Sequence, residues 1–197
     1  MAVKRRMGPE SAATRTMLMD AVEAVMREAG YAALSARFIA RRAGLKYQIV
    51  FYYFETMDDL LLETYRRRTK RVMEKVEAAL QSDRPLHEFW AAWSNPDDAA
   101  LTYEYMAMAN HNEVIRAETV AFGEQVRRVG LERLSARLRQ TPLDPTIFTP
   151  LSITTVLTSI GAILGFEAAL GISGGHQETR RMVEYCLRYL EPGTAAS

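Results

Sequence analysis

Leu18, Ala21, Val22 and Val25 recur three and four residues apart with polar residues between them, which predicts a helix from about Thr14 to Ala29 with one buried stripe. Gly30 stops it. Ser35 suits the N-cap of a second, short helix, with Phe38 and Ile39 facing inward and Ala40 small enough for another helix to cross. Gly44 supplies the positive φ that a tight turn needs. Beyond it Ile49, Val50, Tyr53 and Phe54 return at helical spacing toward the core, which leaves Tyr47, Gln48, Phe51 and Tyr52 outward and Lys46 at the helix start. Two short helices around a tight turn form a helix-turn-helix pattern.

The rest of the chain also reads as helices. Thr56, with Asp59 three residues on, opens a long helix whose stripe Leu61, Tyr65, Val72, Val76 and Leu80 runs to about Gln81. Arg66, Arg67, Arg68, Lys70 and Arg71 on it are expected to form a solvated face. Pro85 starts a helix to Trp93, and Asn95 to Asp98 reads as a loop and cap before a helix to about His111. An amphipathic helix from Glu113 to Arg139 follows, with Val114, Ala121, Val129 and Leu138 among its apolar positions. Three prolines make Thr141 to Pro150 a connector. Leu151 to Gly165 carries no charge but is too short and too rich in Ser and Thr for a membrane span, and the helix from Leu151 to Leu170 is expected to be buried. After the glycine-rich break from Gly171 to Gly175, a last helix runs from Gln177 to Leu190. The expected fold class is all-α with about nine helices: a basic arm without order (1–13), a three-helix domain with the helix-turn-helix (14–55), a larger helical domain (56–192) and a tail (193–197).

Charge sharpens this picture. Residues 1–54 hold nine Lys or Arg against four acids, a net of +5 in a chain whose total is +1. A basic amino end joined to an acidic remainder is what a nucleic-acid reader with a separate domain shows. The outward face of the third helix agrees: amides pair with adenine, rings pack on sugars and thymine methyls, and amines meet phosphates. The DNA-contacting residues expected are Arg37, Lys46, Tyr47, Gln48, Phe51 and Tyr52. An alternative assigns the exposed aromatics to a protein partner, as in a helical adaptor. Strong salt dependence of binding separates the two.

From Thr14 to Leu62 the sequence resembles the tetracycline-repressor (TetR) family of bacterial transcription regulators. The resemblance rests on Gly30 and Tyr31, then Ile39, Ala40, Ala43, Gly44 and Leu45, the aromatic run Phe51, Tyr52, Tyr53 and Phe54, and Asp58 and Leu60. It implies a cytoplasmic homodimer that binds double-stranded DNA at a palindromic operator, and a carboxy-terminal domain that takes a small effector and releases the DNA. Several positions depart from the family's habit. Lys46 stands where a small hydroxyl residue is common, Gln48 where Gly is common, Phe51 for Tyr, Tyr53 for His, and Met57 for a Lys that touches phosphate.

Trp90, Trp93, Tyr103, Met106, His111, Phe122 and Phe148 are candidates for the lining of an effector site, because Met and aromatic residues suit apolar ligands. Gly161 and Gly165, four apart, would let a helix approach closely. With Met182, Cys186 and Leu190 they are the expected dimer interface, in a four-helix bundle of two copies. Cys186 is the single cysteine, so no intramolecular disulfide can form, which suits a reducing cytosol. His87, His111 and His176 lie far apart and no phosphate-binding glycine loop follows a strand, so no catalysis, metal or cofactor is expected. The amino end has no apolar stretch of signal-peptide type and is expected to be an arm, and no membrane partner is expected.

Overall fold

The computed structural model describes residues 9–94, 96–139, 141 and 143–191. Among these the chain is all-α, as expected, with α1 (Pro9–Ala29), α2 (Ala36–Arg42), α3 (Gln48–Tyr53), α4 (Met57–Leu80) and α5 (Pro85–Trp93). The remaining helices are α6 (Pro96–Ala109), α7 (Glu113–Leu138), α8 (Pro150–Ala169) and α9 (His176–Leu190), and one 3-10 turn occupies Tyr31–Ala33. Helix α1 begins five residues ahead of Thr14, so residues 9–13, assigned to the arm by sequence, are helical. Pro9 stands at its first position, where the fixed φ of proline fits and its missing N–H costs nothing. The rest of the predicted arm and the tail (193–197) lie outside the described residues, as does Asn95.

Two compact units make up the chain. Met1–Arg68 with Leu101–Thr119 forms one, and Thr69–Ala100 with Val120–Ser197 the other. The boundary expected between residues 55 and 56 thus differs from this division, and polar ties explain why. Glu104 on α6 accepts from the Tyr31 backbone N–H (2.7 Å), Asn112 donates to Asp58 at the start of α4 (2.8 Å), and Arg66 pairs with Glu118. The basic run on α4 is therefore a solvated face only in part: Arg66, Lys70 and Arg71 are exposed, whereas Arg67 is half-buried and Arg68 is inside. Arg67 pairs with Asp20 (2.7 Å) on α1, and Arg68 is buried and donates to Thr102 (2.8 Å). Leu18, Val22, Ile39, Val50, Phe54, Leu60, Leu101 and Ile115 form the core of this unit. The predicted cap of α4 is present: Asp59 accepts from the Thr56 N–H (2.9 Å), and Thr56 Oγ1 accepts from the Asp59 N–H (3.1 Å).

In the second unit Val76, Leu86, Phe89, Trp90, Leu134, Leu157, Val183 and Leu187 share one core. The free N–H groups that open α5 are satisfied by Glu191, which accepts from Leu86 (2.8 Å) and His87 (3.3 Å) and meets His87 Nδ1 at 2.7 Å. Thr149 caps α8 by accepting from the Ser152 N–H (3.0 Å). Helix α7 keeps two of its expected apolar positions in the core, Leu138 buried and Val129 half-buried against it, and turns the other two outward. Val114 and Ala121 are exposed, and burial falls on Ile115, Val126, Leu134 and Leu138. Helix α8 is long and apolar enough to cross a membrane by length and composition, and only 33% of its most apolar stretch is buried. The expectation of a buried helix therefore holds for one face: Ile153, Leu157 and Leu164 are inside, while Leu151, Val156 and Ile163 are exposed.

Candidate nucleic-acid interface

Local geometry builds the two-helix motif from Ser35 onward. The Ser35 hydroxyl oxygen accepts from the Phe38 N–H (3.3 Å) and starts α2. At the other end the Gly44 N–H donates to Arg41 O (3.1 Å) and the Leu45 N–H to Ala40 O (2.8 Å), with Gly44 at φ 70°. This paired closure uses a left-handed residue to end α2 and turn the chain. Helix α3 then packs by Val50, fully buried, with Ile49 and Tyr53 half-buried and Phe54 inside just past its end.

The opposite side of α3 faces solvent. Tyr47, Phe51 and Tyr52 are 44%, 48% and 60% exposed, and Lys46 and Gln48 are exposed with them. Arg37 and Arg41, four apart on one face of α2, lie against rings, Arg37 over Tyr47 (5.8 Å) and Arg41 over Phe38 (4.7 Å). Arg41 entered the sequence reading only as a charge; its spacing from Arg37 was the signal that could have singled it out. Arg42 is spent elsewhere, on Glu28 of α1 at 2.8 Å. That hydrogen bond holds the Glu28 carboxyl below its ordinary range and the Arg42 guanidinium above its own. All six expected DNA-contacting residues are thus exposed, on α3, the turn before it and α2.

Residues 18–64 match the family described as bacterial regulatory proteins, tetR family. Those residues are similar to the DNA-binding segment that describes this family. The TetR-family match runs from α1 through α2 and α3 into the first turns of α4. An uncharacterized HTH-type transcriptional regulator of Mycobacterium bovis is 31% identical over 111 residues, 51% of this chain and 54% of that protein. A relative in Mycobacterium tuberculosis has the same values. The chain therefore spans about half the length of the curated relatives it matches.

The fold extends further than the sequence match. A TetR transcription regulator from Haloarcula marismortui superposes with a TM-score of 0.71 at 21% identity, covering 89% of this chain and 96% of that one. A protein from Saccharomonospora viridis, solved in complex with choline, gives a TM-score of 0.75 at 17% identity over 90% and 97%. Both likenesses are likenesses of fold alone.

The expected effector residues fall in both units. Trp90 is buried, and Trp93 lies between Phe89 (6.3 Å) and Phe122 (6.5 Å) in the second unit, its indole Nε1 buried with no hydrogen-bond partner among the described residues. Tyr103, Met106 and His111 belong to the first unit instead, with Met106 exposed and His111 exposed in the turn after α6. Phe148 is exposed in the turn before α8.

The expected dimer interface divides as well. Gly161 and Gly165 are buried within their own subunit. A Cβ on Gly161 would sit 2.8 Å from the Trp93 carbonyl oxygen, so the helix that approaches it is α5 of the same chain. Leu190 is half-buried against the second core. Met182 and Cys186 are exposed, and with Tyr185 and Tyr189 they line one side of α9 at helical spacing. The two tyrosines, 75% and 62% exposed, were missed by the sequence reading, although positions 182, 185, 186 and 189 carry the signal of a heptad stripe.

Proposed function

We propose that this chain is a TetR-family regulator: a homodimeric DNA-binding repressor released from a palindromic operator by a small, largely apolar effector. The observation that carries this reading is the outward side of α3. Three rings and an amide stand exposed there among Arg37, Arg41 and Lys46, a composition that suits a major groove. Gln48 and Tyr47 read bases, while Lys46, Tyr52 and Arg37 steady the backbone. Two copies pair through the exposed sides of α8 and α9, by Leu151, Val156 and Ile163 on one and Met182, Tyr185, Cys186 and Tyr189 on the other, and bury apolar surface that a lone subunit leaves in water. The dimer acts in the cytoplasm, where the exposed Cys186 stays a thiol.

The effector binds beside Trp90, Trp93 and Phe122, where an acceptor atom on the ligand meets the buried indole N–H of Trp93. Choline in the Saccharomonospora viridis structure supports a small-molecule site in this fold. Footprinting the purified protein on DNA upstream of its own gene, across a salt series, tests the reading. A protected palindrome with half-site centres about 34 Å apart and steep salt dependence is expected. Binding indifferent to salt, with no protected sequence, overturns it.

A further inference from the structure

A helix of six residues cannot hold its own pose, since isolated helices shorter than about 12–15 residues are marginal in water. The last carbonyls of α3 also lack helical partners. One of them, Tyr53 O, accepts from Arg15 Nη1 at 2.6 Å. Nη2 of the same guanidinium pairs with the Glu63 carboxylate on α4, and the guanidinium carbon lies 4.4 Å from the centroid of the Phe54 ring. The Arg15 side chain is 17% exposed. From α1, one side chain grips the end of α3, the residue after it and the second turn of α4.

We propose that Arg15 is a positioning residue for base readout: it sets the roll and depth of α3 without touching DNA. The proposal rests on the DNA-binding reading above. A guanidinium is a rigid planar fork that serves a carbonyl and a carboxylate at once, while a lysine ammonium donates from one point. Its charge is met by Glu63 and by the carboxyl end of α3, which favours a cation. Arg15 therefore neutralises no phosphate. Hydrogen bonds to base edges are exacting in geometry, whereas phosphate attraction is long-ranged and indifferent to sequence, so a loosened α3 loses discrimination before it loses affinity.

The test uses the full chain and a duplex it enriches from a random-sequence pool, with a shuffled duplex as reference. Arg15→Gln is expected to keep its helical circular dichroism and salt slope and to lose about tenfold or more in the ratio of the two affinities. Arg15→Lys keeps the charge and is expected not to restore the ratio. An undiminished ratio in Arg15→Gln, or full rescue by lysine, overturns the proposal. So does a slope lowered by about one unit, which makes Arg15 a phosphate contact. If Arg15→Gln does not fold, Glu63→Gln decides, because it keeps the bond to Tyr53 and weakens the second anchor. A ratio reduced about threefold supports the proposal, and an unchanged one overturns it. An unmodified chain that enriches no duplex overturns the DNA-binding reading itself, and the proposal with it.

Discussion

The exposed apolar side chains of α3 and those of α8 stand in different electrical surroundings. Around α3 the rings of Tyr47, Phe51 and Tyr52 stand among Arg37, Arg41 and Lys46. On α8, exposed Leu151, Val156 and Ile163 belong to a helix whose single charge is Glu167. Both leave apolar area in water, which costs free energy in an isolated subunit. Cations beside the rings suit a polyanion, because phosphates attract them at long range and the rings then pack in the groove. An apolar side without charge repels nothing and suits an equally uncharged surface, such as its own copy across a two-fold axis. The same type of exposed residue thus points to different partners according to its neighbours.

The largest effect is expected from breaking the second surface. Ile163→Glu with Tyr185→Glu places two carboxylates on exposed positions of α8 and α9, so each subunit should keep its fold while the pair separates. Losing the linked second head should lower affinity for a palindromic duplex by about 100-fold or more. Sedimentation velocity and circular dichroism check the two halves of this expectation. A dimer that persists removes α8 and α9 from the interface and leaves the contrast with α3 without its second member.

Gly161 sharpens the comparison, because it lies on the inner side of the same helix. A Cβ there meets the Trp93 backbone at 2.8 Å, and backbone cannot yield as a flexible side chain does. Gly161→Ala should therefore destabilise each subunit by about 1–3 kcal/mol through overpacking, with the association of two copies unchanged. Denaturant unfolding and sedimentation velocity read these separately. Weakened association with unaltered subunit stability would return Gly161 to the interface between copies.

How far the sequence carried this reading depended on the range of the interactions involved. Pro85 and Trp93 bound α5 as expected, Ser35 and Gly44 bracket α2, and Thr56 with Asp59 opens α4, because caps and turns are written in residues a few positions apart. The outward side of α3 was legible for the same reason: six residues leave little choice of phase. Helix α7 was legible only in part, since Val114, Ile115, Val120, Ala121 and Phe122 offer apolar residues on more than one side, and only packing selects Ile115, Val126 and Leu134. Distant polar contacts were hidden. Nothing local to Arg66, Arg67 and Arg68 announces Glu118, Asp20 or Thr102, nor does Arg15 announce Tyr53.

On the DNA side, Gln48→Ala should cost about 1–3 kcal/mol of discrimination at one base pair, because an amide that pairs with adenine along two hydrogen bonds has no substitute on an exposed helix start. Competition among duplexes that differ singly at each position of the protected site measures it. Equal loss on every sequence would make Gln48 a backbone contact and leave Tyr47 as the base reader.

Lys46→Ala should have the smallest effect and the most specific signature. Lys46 is exposed two residues before α3, and its flexible ammonium meets phosphate as a point charge without fixing geometry. Its removal should weaken binding to specific and shuffled duplexes alike and flatten the salt slope by about one unit, since one fewer counterion is released. The contrast with Gln48 lies in what stays constant: discrimination survives loss of the lysine and fails with loss of the amide. A slope unaltered by Lys46→Ala would take Lys46 off the phosphates and leave Arg37 and Arg41 as the cations that draw this side of the first unit to DNA.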